Sequence, residues 1–268
     1  MIFVLDIGNT NVVAGVYERE GAAPGRGRLR QAWRFASDRL KTTDEYLSLL
    51  RDFFRQAGLN PARVRGGILS SVVPPLTLVF EEACRRLFGR PALVVGPGLD
   101  LGLKVLTDNP SEVGADRLVN AVAGFALHGG PLVVMDFGTA TTFDAVSRKG
   151  EYLGGAIAPG VSISTEALVS RTARLPRIDM ARPLSPIGRN TVESMRSGIY
   201  YGTLGQAREI LSRLRRELGP GCRAVATGGL SGWLPVKELG LDSVDPDLTL
   251  EGLRLLFQRN QGRPARRR

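Results

Sequence analysis

The chain has 268 residues, 43% hydrophobic and 23% charged, with 33 glycines and 16 prolines, a balance that gives about two globular domains and excludes a disordered or fibrous chain. No apolar run approaches the roughly 18 to 20 residues that span a bilayer, and the opening Met1-Ile-Phe-Val-Leu-Asp6 has neither a basic n-region nor a cleavage site, so a cytoplasmic protein with no membrane partner is expected. The formal charge of +10 rests on 32 arginines and 4 lysines, but Arg259, Arg263, Arg266, Arg267 and Arg268 crowd the last ten residues and leave +5 without them, so specific nucleic-acid binding is not expected.

In chain order, Ile2 to Asp6 reads as an apolar strand that ends in a tight turn, and Val12 to Tyr17 resumes as a second strand. Gly21 to Gly27 is a Gly/Pro loop, Leu29 to Phe35 a third strand, and Thr42 to Ala57 a helix on the spacing of Tyr46, Leu49, Leu50, Phe53 and Phe54, with Thr43, Asp44 and Glu45 as its start. Ile68 to Val73 is a strand closed by Pro74-Pro75, Leu76 to Phe88 a helix and Ala92 to Val95 a strand. From Ser111 a helix runs to Leu127. Leu132 to Met135 then repeats the apolar opening, with strands at Thr142 to Val146 and Tyr152 to Ile157 behind it. A long amphipathic helix carries Val192, Met195, Ile199, Ala207, Ile210, Leu211 and Leu214, Arg223 to Thr227 is a strand, and Leu248 to Gln258 a last helix. The two halves share an opening and an element order, which predicts a duplicated α/β protein: one lobe over 1–110, a second over 111–258 and a disordered basic tail over 259–268.

The chemistry available is limited. Cys84 and Cys222 have the spacing of neither a zinc site nor a redox pair and read as core thiols. One histidine, His128, beside Gly129 and Gly130, excludes a Ser-His-Asp hydrolase and leaves catalysis to carboxylates. Asp6-Ile-Gly-Asn-Thr-Asn11 and Asp136-Phe-Gly-Thr-Ala-Thr141 each place an acid at a strand end before a Gly-containing turn and small polar side chains. Such turns let backbone N–H groups approach phosphate oxygens, while the acid holds a cation or its water shell; taken singly, each is also an ordinary hairpin turn. Pro159-Gly160 with Ser162, Ser164 and Thr165 suits a helix N-terminus that faces an anion, and Gly228-Gly229 permits close approach of a ligand such as an adenosine group; both read equally as helix-entry turns. Asp116 lies in a small, apolar stretch, Val113-Gly-Ala-Asp-Arg-Leu-Val119, with Arg117 beside it to pair with a carboxylate or phosphate; on spacing alone the two are also an ordinary surface pair on a helix. Glu112 reads only as a helix-start charge.

Paired Asp-x-Gly turns at the head of duplicated units resemble the superfamily of sugar kinases, actin and the large ATP-driven chaperones, whose lobes are ribonuclease H-like with an ATP cleft between them. Within it, Asp6 to Asn11, Ser70-Ser-Val-Val-Pro74, Asn109-Pro-Ser-Glu-Val-Gly-Ala-Asp-Arg117, Asp136 to Thr141, Gly154-Gly-Ala-Ile-Ala-Pro-Gly160 and Thr227-Gly-Gly229 together resemble type III pantothenate kinases. The resemblance implies phosphorylation of pantothenate by ATP, the first step of coenzyme A synthesis, in a homodimer that uses Mg2+ and a monovalent cation, K+ or NH4+. It implies that Asp6, Ile7, Gly8, Asn9, Thr10, Asn11, Val12 and Val13 form the ATP phosphate loop, that Thr139 is a second ATP contact, and that Asp136, with Asp6, serves metal ions. It also implies that Gly114, Ala115, Asp116 and Arg117 bind pantothenate, with Asp116 as proton acceptor and Thr191 as a further contact. Where many members carry a substrate-contacting Tyr two residues before the Asn-Pro, this chain has Thr107. A non-catalytic homologue acting as a transcription accessory factor is the alternative, against which the set Asp6, Asp116, Asp136, Thr139 and Thr191 argues.

Overall fold

The structure, a computed structural model, describes residues 1–18, 25–233 and 235–261. Part of the 21–27 loop and residues 262–268 of the expected tail lie outside the described residues. The first half of the chain runs β1 (Ile2–Ile7), β2 (Asn11–Tyr17), β3 (Leu29–Ala36), α1 (Thr43–Gln56), β4 (Gly67–Ser71), α2 (Pro74–Phe88), β5 (Leu93–Val94), β6 (Lys104–Val105) and α3 (Ala115–His128). The second half runs β7 (Leu132–Phe137), β8 (Ala140–Val146), β9 (Glu151–Pro159), α4 (Val161–Ser170), α5 (Thr191–Leu218), β10 (Arg223–Thr227), α6 (Val236–Leu239), β11 (Ser243–Val244) and α7 (Leu248–Arg259). Two compact units result: Met1–Leu127 together with the chain from Asp247 onward, and His128–Pro246.

In the first unit the strand order is β3-β2-β1-β4-β5, antiparallel through β3, β2 and β1 and parallel from β1 to β5. β1 is almost wholly apolar because helices cover both its faces. Phe3, Leu5 and Ile7 pack with Tyr46, Leu50, Phe54 and Phe80 of α1 and α2. Ile2 and Val4 point the other way, into Val119 of α3 and Leu250, Leu253 and Leu256 of α7. Burying one such side chain contributes about 1.5–3 kcal/mol, so α7 is integral to this unit. Gly252 makes that packing possible, since a Cβ there would lie 2.3 Å from the Val119 carbonyl oxygen.

α1 starts at Thr43 as expected, because Thr42 caps it: its hydroxyl accepts from the Glu45 N–H while the Glu45 carboxylate accepts from the Thr42 N–H at 2.8 Å. Two local readings change. Pro74 and Pro75 open α2 instead of closing a strand, because a first helical turn has no use for their missing N–H groups. α3 begins at Ala115 rather than Ser111: the Asn109 side chain accepts from the Ser111 N–H at 3.2 Å and holds Pro110–Glu112 in a separate 3-10 turn.

The lobe limits differ as well. α3 and α7, expected in the second lobe, belong to the first unit because their apolar stripes face its sheet. Arg259 closes α7, and Asn260 is buried, its side chain accepting from the Asp100 N–H at 3.0 Å and donating to the Asp100 and Leu256 carbonyls at 2.9 Å. The expected tail therefore begins with structural residues.

The second unit repeats the scheme in the order β11-β10-β7-β8-β9, with β7, β8 and β9 antiparallel and β7, β10 and β11 parallel. The repetition reaches individual positions. β1 and β7 have the same burial pattern, as do β2 and β8, and a register irregularity falls at Val16/Tyr17 in one unit and at Ala145/Val146 in the other. α5 covers one sheet face through Tyr200, Leu204, Ala207 and Leu211. Cys84 is buried, which pushes its thiol up to about 12, whereas Cys222 is only half-buried and not the core thiol expected.

Candidate active site

In the first unit, Asp6 stands where β1 ends. The Ser70 hydroxyl donates to its Oδ1 at 2.6 Å. Burial foremost, and then the negative charge of Asp116, push the Asp6 carboxyl up to about 7 against the opposing influence of Ser70 and Arg34. The turn that follows is closed by the Gly8 N–H donating to the Asn11 carbonyl at 3.0 Å, and the Ser37 hydroxyl donates to the Gly8 carbonyl at 2.5 Å. Asn9 and Thr10 are exposed, whereas the Ile7 and Val12 side chains are buried in the core. Only the backbone of Ile7 and Val12 is therefore available to a phosphate, while Asn9 and Thr10 also offer side chains. Asn9 is steadied by Arg39, which donates to its Oδ1 at 3.0 Å.

Asp116 occupies the first turn of α3. Its Oδ1 accepts from the Arg117 N–H at 2.8 Å, and a Cβ on Gly114 would lie 2.6 Å from that same oxygen. Glycine at 114 is thus what leaves room for the carboxylate. Burial raises the Asp116 carboxyl above the ordinary carboxylate range, opposed by the Arg117 N–H and by the Arg117 charge. Asp6 and Asp116 stand close enough for their charges to act on one another. The Thr107 hydroxyl, at the position of the family's Tyr, is buried without a hydrogen-bond partner.

In the second unit, Asp136 stands where β7 ends, in register with Thr227 of the parallel strand β10. The turn after it is one residue shorter than its counterpart, since Phe137 pairs with Thr141 whereas Ile7 pairs with Val12. Gly160, just before α4, sits against this turn: a Cβ there would lie 2.2 Å from the Thr139 carbonyl oxygen. Gly228 has φ +93°, and its Cβ would lie 2.3 Å from Oδ1 of Asp136. Thr191 is exposed at the start of α5, where the Asn190 side chain caps the Glu193 N–H at 2.9 Å. It belongs to the His128–Pro246 unit, and Gly114 to Arg117 belong to the other.

Ser70, Arg34 and Thr227 carry no chemical signal of their own in the sequence, although Ser70 and Thr227 open the Ser70–Pro74 and Thr227–Gly229 motifs. Among the described residues no group of three or more His, Cys, Asp or Glu side chains could hold a metal ion. Asp6 and Asp136, each in its own unit, nevertheless have the chemistry to hold a cation together with phosphate oxygens and water, the usual mode for Mg2+. Burial pushes the Asp6 carboxyl up, a shift that a bound cation would oppose, and the absence of a side chain on Gly228 leaves room at Oδ1 of Asp136.

A family profile described as type III pantothenate kinase matches residues 2–213. The type III pantothenate kinase of Geobacter sulfurreducens is 51% identical over 261 residues, covering 97% of this chain and all of the relative. That of Moorella thermoacetica is 49% identical over 260 residues, with coverage of 97% and 100%. Among solved structures, a conserved putative Baf family transcriptional activator from Campylobacter jejuni aligns with a TM-score of 0.59 at 17% identity, covering 96% of this chain and 98% of that one, a likeness of fold alone. Among the described residues no helix is long and apolar enough to cross a membrane.

Proposed function

The chain belongs to the type III pantothenate kinase family, and from that premise we propose that it transfers the γ-phosphoryl group of ATP to the primary hydroxyl of pantothenate, the first step of coenzyme A synthesis. The observation that carries the catalytic assignment is the half-buried Asp116 carboxylate, in a cradle that glycine at 114 leaves open. Asp116 orients the hydroxyl and takes its proton as the new O–P bond forms and the bond to the ADP oxygen breaks; a carboxylate suffices because the transition state is loose. Arg117 pairs with the pantothenate carboxylate, and Gly114, Ala115, Thr107 and Thr191 complete the substrate contacts.

Asp6 to Val13 serve the ATP phosphates through the backbone of the turn and the side chains of Asn9, Thr10 and Asn11, and Thr139 is a second ATP contact. Mg2+ at Asp6 and K+ or NH4+ at Asp136 supply charge neutralisation when bound. Replacing Asp116 with asparagine keeps shape and ATP binding while turnover falls about 10²- to 10⁴-fold; wild-type kcat in that variant would remove Asp116 as the base.

The enzyme acts in the cytoplasm as a homodimer. Support for the dimer lies on α5, where Gly198, Gly202 and Gly205 fall at helical spacing and a Cβ on each would meet nothing within 4 Å. A helical glycine costs about 1 kcal/mol relative to alanine, so such a line is explained by close approach of a second copy.

A further inference from the structure

Each unit sets a hydroxyl residue opposite its strand-end aspartate. In the first, Asp6 of β1 is in register with Ser70 of the parallel strand β4, and the Ser70 hydroxyl donates to Oδ1 of Asp6 at 2.6 Å. In the second, Asp136 of β7 is in register with Thr227 of the parallel strand β10. Residues in register on neighbouring strands point to the same face of the sheet, so the two pairs are built alike. The difference is in the hydrogen bond. Thr227 is 1% exposed, and its Oγ1 is buried with no partner.

A buried hydroxyl left unpaired is unfavourable, and valine would fill the same volume on a strand without that penalty. The surroundings fix the hydroxyl near Asp136. Gly228, the next residue, brings its backbone against Oδ1 of Asp136 and against the backbone of Phe137. The Leu230 N–H donates to the Phe137 carbonyl at 3.2 Å, and the Ser231 hydroxyl donates to the Gly228 carbonyl at 2.7 Å, so the exit of β10 is tied to the end of β7. Only a turn about χ1 from one staggered position to another remains free.

We propose that Thr227 is a positioning residue for Asp136, its hydroxyl turning to donate to that carboxylate as Ser70 donates to Asp6. Held in this way, one carboxylate oxygen is satisfied by the protein and the other is presented to the ligand side of the turn. The proposal rests on the reading of Asp136 as the acid that serves a monovalent cation.

The test compares the wild type with Thr227→Val, Thr227→Ser, Asp136→Asn and the Thr227→Val/Asp136→Asn double variant, by kcat/KM for ATP and by the KCl concentration that raises the thermal midpoint in the absence of substrates. Residues acting through one another are non-additive. Thr227→Val lowers kcat/KM about tenfold and demands more KCl for the same thermal shift, Thr227→Ser stays within about threefold of wild type, and in the Asp136→Asn background the valine substitution adds less than about twofold. Wild-type kcat/KM in Thr227→Val, or an undiminished effect in the Asp136→Asn background, overturns the proposal. If KCl has no effect on the wild type while the non-additivity persists, the cation reading of Asp136 fails and the role of Thr227 stands. Thr227→Ala carries the same comparison should the valine variant not fold.

Discussion

Replacing Gly228 with alanine drives a methyl group into the end of β7. The residue has φ +93°, where a side chain costs about 1–2 kcal/mol. The added Cβ would lie 2.3 Å from Oδ1 of Asp136 and 2.7 Å from both N and O of Phe137. The carboxylate can turn away. The Phe137 backbone cannot, because β7 is paired with β8 on one side and β10 on the other. Overpacking of that kind adds about 1–3 kcal/mol, for a total of about 2–5 kcal/mol. At about 2–4 °C per kcal/mol the thermal midpoint falls by about 4–20 °C, and ATP turnover falls with it as Asp136 is displaced. Circular dichroism melts together with a coupled ADP-release assay read both effects. Gly232, in the 3-10 turn Ser231–Trp233, has nothing within 4 Å of an added Cβ, so Gly232→Ala changes stability by no more than about 0.5 kcal/mol. Should Gly228→Ala melt and turn over like Gly232→Ala, the close approach of β10 to Asp136 described here is wrong.

The remaining expectations concern titration, the chain end and assembly. Because burial raises the Asp116 carboxyl, the acid limb of kcat/KM lies above the ordinary carboxylate range, with activity lost as pH falls through it, and Arg117→Gln, which removes an opposing positive charge, moves that limb to higher pH; a pH–rate profile of each protein decides. The sign for folding is the reverse, since a raised carboxyl favours the protonated native state and its contribution declines as pH rises through the folded value. Truncation after Gln261 leaves the thermal midpoint unchanged, whereas Asn260→Ala loses about 1–3 kcal/mol with its bonds to Asp100 and Leu256, as denaturant titration will show. Gly202→Leu on α5 leaves the subunit folded and shifts the oligomer toward monomer in light scattering; an unchanged mass removes the glycine line as the contact surface.

The repeated openings were legible because β1 and β7 are covered on both faces, which writes an unbroken apolar run ahead of each acid. Asp6, Asp116 and Asp136 stand out as candidates for a similar reason: an acid among apolar and small neighbours is conspicuous in one dimension. What sets their geometry is not. Ser70 lies 64 residues from Asp6, and parallel pairing carries no local signal to link them. Pro74-Pro75 misled because the same pair that ends a strand also starts a helix. β6 and β11, two residues each, are too short for any periodicity. The lobe limits are not legible because chain order is not spatial order: the stripe of α7 matches a sheet face made some 240 residues earlier.

That displacement of α7 has a consequence for biosynthesis. A ribosome delivers the chain from Met1 onward, so Ile2, Val4, Tyr17 and Ile68 are made long before Leu250, Leu253 and Leu256 exist to cover them. The His128–Pro246 unit is continuous and can close while its last strand leaves the exit tunnel, whereas the unit that starts first must wait until the end. During that interval, of the two helices on this face of the five-stranded sheet, α3 alone offers apolar cover, and the part that α7 will take stays open. The nascent chain is thus most exposed to chaperones, and to self-association, at its beginning.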